Sequence, residues 1–177
     1  MKPGDPAAVE QLFDSVASRY DQLNDLLSLG LHRQWKRQLQ CFLRPAAGET
    51  WLDLCCGTGD LALELARRVR PGGSVLGLDA AAAPLELARH RQRRQPWLNV
   101  VFQQGDALST GLPDASADGI VMAYGLRNLA DPAAGLKEMA RLLKPGRRAG
   151  VLDFNRLTTA GPAADFQRFY LRRLVVP

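Results

Sequence analysis

The chain has 177 residues, 46% of them hydrophobic and 23% charged, which suits one globular domain with no need of disulfides or a metal to hold its core. Three cysteines (Cys41, Cys55, Cys56) without CxxC or Cys/His spacing argue against zinc, so no metal site is expected. The net charge of +5 favours anionic surroundings, no apolar run approaches the ~18 residues that span a bilayer, and MKPGDPAAVEQLF carries acids where a leader would be apolar, so a cytoplasmic protein is expected.

Val9, Leu12, Phe13 and Val16 share one helical face and Leu23, Leu26 and Leu27 another, so residues 1–45 read as an N-terminal helical lid segment. From Thr50 short apolar runs alternate with helical stretches. The pattern predicts strands near 50–55, 74–79, 98–103, 117–123 and 147–154, and helices near 59–69, 82–94, 132–143 and 162–175. RPGG (70–73), GLPDAS and KPG (144–146) read as loops. Such alternation implies right-handed crossovers and a mostly parallel, doubly wound Rossmann-like α/β sheet over 46–177, with ligands at the carboxyl ends of the strands. The basic clusters are HRQWKR (32–37), RHRQRR (89–94) and FQRFYLRRL (166–174). RHRQRR falls at a helix end, where cations complement the dipole.

Residues 51–66, WLDLCCGTGDLALELA, read as strand, tight turn and helix. GTGDLA fits the G-x-G-x-x-G/A fingerprint, and Asp79 closes the next apolar run at the distance that suits a carboxylate on ribose hydroxyls. A pyrophosphate would meet Asp60 in the first helical turn, and Asp53 adds a second acid at the end of the first strand. Those carboxylates suit S-adenosylmethionine, which bears an ammonium and a sulfonium and no phosphate, better than NAD. Asp106, after the third strand, is a third strand-end acid. Cys55 occupies the position of the first glycine in many such loops, and both cysteines of the turn read as packing residues.

YDQLNDLLSLGLHRQW (20–35), YGLRNLADP (124–132) and RLLKPG (141–146) resemble, in order, three motifs of the ubiquinone/menaquinone-biosynthesis C-methyltransferases. Within that family the chain is most similar to the branch that methylates 2-phytyl-1,4-naphthoquinol, with demethylmenaquinone and ubiquinone-precursor methylation as alternatives. It departs from the general pattern at Arg147, Asp153 and Asn155, where glycine, glutamate and serine are usual. The resemblance implies a class I methyltransferase fold, S-adenosylmethionine as cofactor and a prenylated naphthoquinol as substrate. It also implies two further strands beyond RRLVVP, so a cofactor-binding but inactive domain is a second reading.

Resemblance and strand-end placement together assign roles. Gly57, Thr58 and Gly59 would line the methionine portion, with Asp53 beside its cationic end. Asp79 would take the ribose, Asp106 with Ala107 the adenine, and Ala123 would flank the cofactor. Arg127 and Asn128 would face the reacting ring, Arg127 stabilising a phenolate or orienting a water. His32 is a candidate base or substrate-positioning group, Tyr20 a lid residue and Asp153 a weaker base candidate. The basic clusters leave room for peripheral contact with anionic lipid around a long-tailed substrate. A homo-oligomer is left open. Nucleic acid is not expected as a partner, since no basic-aromatic interleaving runs along the strands.

Overall fold

The structure, a computed structural model, describes residues 31–153. The apolar faces of residues 9–27, Tyr20, Asn155 and the helix expected at 162–175 lie outside the described residues. In chain order the elements are α1 (Leu31–Leu43), β1 (Thr50–Leu54), α2 (Asp60–Arg68), β2 (Ser74–Asp79), α3 (Ala82–Arg93), β3 (Val100–Gln104), β4 (Ala117–Ala123), a 3-10 turn (Leu126–Asn128), α4 (Pro132–Leu142) and β5 (Leu143–Leu152).

The five strands form one parallel sheet in the order β3-β2-β1-β4-β5. Because parallel crossovers are right-handed, winding outward from β1 in one direction and from β4 in the other puts helices on opposite faces. α1, α2 and α3 share a core with Trp51, Val75, Phe102 and Val121 on one face. Leu52, Leu54, Ile120 and Met122 meet Met139 and Leu142 of α4 on the other. The strand order reverses between β1 and β4, which makes the carboxyl ends of those two strands the crevice of the fold. α1 is part of this layering: Leu39 and Leu43 lie over Gly150 of β5.

Local chemistry starts and stops the elements. Asp131 caps α4 by accepting the Ala134 N–H at 3.0 Å, with Pro132 in the first turn where a missing N–H costs nothing. Leu98, expected within the third strand, instead donates to Gln95 O at 3.0 Å, so β3 starts at Val100. The expected loop at 144–146 is also different. Pairing of β5 with β4 begins at Leu143 opposite Ala117 and slips between Ala117 and Gly119, so Lys144-Pro145-Gly146 is a bulge inside the strand. Electrostatics hold that bulge, because Asp118 accepts from Lys144 at 2.9 Å and pairs with Arg147 at 3.1 Å. Arg147, standing where the resembled family has glycine, also bonds Glu49 at 2.6 Å, tying β5 to the approach to β1. The connection between β3 and β4 is fastened to α4 by Glu138, which accepts from Thr110 N–H and hydroxyl at 3.0 and 2.6 Å. Its pairing with Arg141 and these bonds pull Glu138 down to about 2.

Trp51 of β1 lies opposite Gly119 of β4, and a Cβ at 119 would come within 2.4–2.6 Å of the indole ring. A rigid ring in a packed core cannot yield as a flexible chain end can. Gly119→Ala is therefore expected to cost about 1–3 kcal/mol, measured as a lower urea midpoint at unchanged m-value.

Candidate active site

The turn after β1 alternates left-handed residues: Cys55 (φ 57°), Gly57 (φ 53°) and Gly59 (φ 79°). Asp79, at the end of β2, holds it, accepting the Gly57 N–H at 2.7 Å on one oxygen and the Ala81 N–H at 3.0 Å on the other. The two glycines serve different ends. A Cβ at Gly57 would meet nothing within 4 Å, so that side of the turn is open. A Cβ at Gly59 would strike Phe102 at 2.6 Å and Ala88 at 2.9 Å, so Gly59 is the point where α2 closes onto α3 and β3 and its Cβ side is packed away from any ligand.

Asp53 is 1% exposed and accepts the Ala62 N–H in the first turn of α2. Its Oδ2 has no hydrogen-bond partner among the described residues. Burial, reinforced by Asp79 and Asp60, pushes the carboxyl up to about 7 against the pull of Lys36 and the Ala62 amide. Asp53, Asp79 and Asp106 all bear on the thiol of Cys55, which burial and these three acids push up to about 12. Cys56 is raised well above the usual thiol range, chiefly by burial. Neither sulfur is a thiolate at neutral pH, and both are packing residues of an acid-lined turn.

Asp60 does not repel anions as its sequence position suggests. Arg91 of α3 reaches it at 2.8 Å and Lys36 of α1 at 3.5 Å, so its charge is answered. Arg91 also donates to Thr58 O at 3.2 Å and Thr58 Oγ1 at 3.1 Å, fixing the middle of the turn from beneath. The preference for a cationic ligand rests instead on Asp53, Asp79 and Asp106. Within RHRQRR, Arg89 bonds Glu86 at 2.5 Å and Phe102 O at 3.1 Å, so two members of that cluster are structural. Lys36 and Arg91 both lie in basic clusters visible in the sequence, but their shared partner Asp60 is 24 and 31 residues away.

The other expected residues are spread over the strand ends and α1. Asp106 is exposed and its Oδ1 accepts the Leu108 N–H at 2.8 Å. Ala107 buries its methyl in the core on the α4 side. Ala123, partly buried, ends β4. Tyr124 turns the chain with φ 62° and donates its N–H to Leu152 O at 2.7 Å. Arg127 comes next on the 3-10 turn, its guanidinium 2.5 Å from Asp153 Oδ1 and 5.8 Å from the Tyr124 ring, with its N–H on Asp153 Oδ2 at 3.1 Å. Asn128 Nδ2 donates to Tyr124 O at 3.3 Å, closing its own turn. His32 is 3% exposed on α1, burial that fits a packing residue better than a group touching substrate. Among the described residues no group of three His, Cys, Asp or Glu could hold a metal ion.

These residues fit a cationic cofactor. A buried carboxylate with an unpartnered oxygen, two further acids and a turn with an open Cβ side make an acid-lined cradle at the switch point of the sheet. The turns after β1 and β4 touch there, since a Cβ at Gly125 would meet Cys55 Cβ at 2.5 Å and Sγ at 2.8 Å.

Comparisons with known proteins give the family. A model of the ubiE/COQ5 methyltransferase family matches residues 1–176. The chain is 48% identical over 169 residues to the 2-phytyl-1,4-naphtoquinone methyltransferase of Thermosynechococcus vestitus, covering 96% of this chain and 74% of the relative. It is 41% identical to the chloroplastic 2-phytyl-1,4-beta-naphthoquinone methyltransferase of Arabidopsis thaliana, covering 94% of this chain and 64% of that protein. Among solved structures, YcgJ from Bacillus subtilis superposes with a TM-score of 0.67 at 28% identity over 80% of this chain and 58% of its own. A SAM-dependent methyltransferase from Aquifex aeolicus shares the fold, with a TM-score of 0.64 at 22% identity over 77% of each chain.

The contact between the two turns is testable. Gly125→Ala should cost about 1–3 kcal/mol, with Cys55→Gly restoring much of the loss, read as the coupling term of a double-mutant cycle. Asp53 has its folded value raised, so its contribution to stability is complete below about pH 4 and is lost as pH rises through about 7. Urea unfolding at pH 5 and pH 8 should accordingly show the stability of wild type relative to Asp53→Asn falling with pH, by on the order of a few kcal/mol. With a family match running nearly end to end, the chain belongs to the ubiE/COQ5 methyltransferase family.

Proposed function

We propose that the protein transfers a methyl group from S-adenosylmethionine to a ring carbon of 2-phytyl-1,4-naphthoquinol, the final methylation in phylloquinone formation. The observation that carries the reading is the cluster of Asp53, Asp79 and Asp106 around the turn after β1, an anionic site at the switch point of the sheet. The 41–48% identity to proteins named for this quinone favours it over a benzoquinone precursor.

When bound, S-adenosylmethionine supplies an electrophilic methyl on a sulfonium. Asp53 and Asp79 would hold its ammonium and ribose, with Gly57 leaving backbone open to it and Asp106 beside the adenine. The nucleophile has to be the hydroquinone, because an oxidised naphthoquinone ring is electron-poor, and it becomes reactive at carbon as a phenol deprotonates. Arg127 stands at the carboxyl end of β4 and would stabilise the phenolate oxygen. Its guanidinium is too basic to accept the proton, so Asp153, bonded to it, or an oriented water would serve. Aligning the ring carbon with the methyl–sulfur bond would supply much of the rest, since effective molarities of ~10⁵ M or more are reached by well-oriented groups. The sulfur would leave as the thioether of S-adenosylhomocysteine, and loss of the ring proton would restore the hydroquinone.

No described helix is long and apolar enough to cross a membrane. We take the protein as a cytoplasmic enzyme that meets its lipid-tailed substrate at a membrane surface.

Incubation with labelled S-adenosylmethionine and 2-phytyl-1,4-naphthoquinone, with and without a reductant, tests the reading. Label in the quinone product only under reducing conditions is expected, and label in neither would sink it. Arg127→Leu should lower kcat ~10²–10³-fold with S-adenosylhomocysteine affinity nearly unchanged, as calorimetry would report.

A further inference from the structure

Arg127 is the cation that the turn after β4 carries, and so long and flexible a side chain can act on a substrate only if it is held in place. Its backbone is held by its neighbours. Tyr124 N–H donates to Leu152 O at 2.7 Å, Asn128 Nδ2 closes the turn on Tyr124 O at 3.3 Å, and Gly125 lies against Cys55 of the turn after β1. The side chain, 45% exposed, is held separately. Asp153, the residue after β5, takes the Arg127 N–H on Oδ2 at 3.1 Å and the guanidinium on Oδ1 at 2.5 Å. The guanidinium also stands 5.8 Å from the ring of Tyr124, which is 8% exposed.

One carboxylate thus grips both the main chain and the side chain of a single residue. The bond to the amide fixes where the carboxyl lies, and the carboxyl then fixes where the charge lies, with the buried ring as a second wall. Both oxygens are engaged with Arg127, whereas a general base has to present an oxygen to the proton it takes. The Asp153 side chain is only 16% exposed, which leaves it little room to turn elsewhere.

We propose that Asp153 is a positioning residue for methyl transfer: by this double grip it sets the Arg127 guanidinium against the developing phenolate oxygen, and it is not the base. The inference rests on the methyltransferase reading above and assigns the phenol proton to the oriented water. That water passes the proton on to solvent, and the electron pair stays on the ring oxygen.

The test is a double-mutant cycle on the reductant-dependent methylation of 2-phytyl-1,4-naphthoquinone. Asp153→Asn keeps the shape of the side chain and removes its charge. It should lower kcat about 10–100-fold, as a misplacement of about an ångström does. Affinity for S-adenosylhomocysteine should not change, and the pH profile of kcat/KM should keep its shape. Asp153→Glu, which keeps the charge, should recover most of the loss. In Arg127→Leu nothing is left to position, so adding Asp153→Asn there should change kcat by less than about twofold. Asp153→Ser takes the place of the Asn variant if that one does not fold. A readout independent of turnover is the ¹⁵N guanidinium signal of Arg127 in ligand-free protein, assigned by its loss in Arg127→Leu. Its rotation should be restricted in wild type and released in Asp153→Asn.

An unchanged kcat in Asp153→Asn overturns the proposal, as does the same loss in the Arg127→Leu background as in wild type, since Asp153 would then act on its own. Disappearance of the acid limb of the pH profile in Asp153→Asn overturns it by making Asp153 the base. Equal falls in kcat and cofactor affinity are the mark of a merely structural carboxylate and overturn it too, and so does a wild-type guanidinium that rotates freely. Absence of methyl transfer by wild type would sink the methyltransferase reading itself, while the guanidinium signal still decides whether Asp153 holds Arg127.

Discussion

Asp53 is held 1% exposed at the carboxyl end of β1, where removing a charge from water costs several kcal/mol unless partners answer it. The surroundings answer it incompletely: one amide from the first turn of α2, a lysine from α1, and two further acids that push the other way. The result is a carboxyl poised near neutrality. α1, α2 and β2 each contribute a charge or a dipole to this one group of β1, so their relative placement is linked to its ionisation.

The sheet topology explains why this group lies where it does. In a doubly wound sheet the turns leaving the carboxyl ends diverge at the point where strand order reverses, here between β1 and β4. The two turns at that point approach until Cys55 touches Gly125, which has no Cβ to obstruct it. Cys55 accepts a left-handed backbone and a raised thiol as the consequence of standing there. The pair of cysteines is thus packing in an acid-lined wall, as the sequence suggests.

Charge is divided between the two turns. The turn after β1 gathers acids, suited to a cationic cofactor. The turn after β4 carries Arg127, gripped through its backbone and guanidinium by Asp153 from the end of β5. Methyl transfer from a sulfonium to a phenolate-activated carbon needs this separation of signs, with the positive donor beside carboxylates and the negative acceptor beside an arginine.

The alternation of short apolar runs with helical stretches was enough to read a parallel doubly wound sheet, because buried strands and amphipathic helices impose different periods on the chain. The strand-end acids and the glycine turn were equally legible, since a turn motif and a residue at a strand's end are local in sequence. Local pattern could not show that KPG is a bulge, because Asp118 holds it from another strand. Nor could it show that Asp60 is neutralised by Arg91 or that Gly59 is set against Phe102. Each of these depends on a partner brought close only by the packing of separate elements. Sequence by itself determined which chemistry lies at the strand ends; the tertiary structure decided which charges are answered and which stay open, because ionisation in a buried site depends on three-dimensional neighbours.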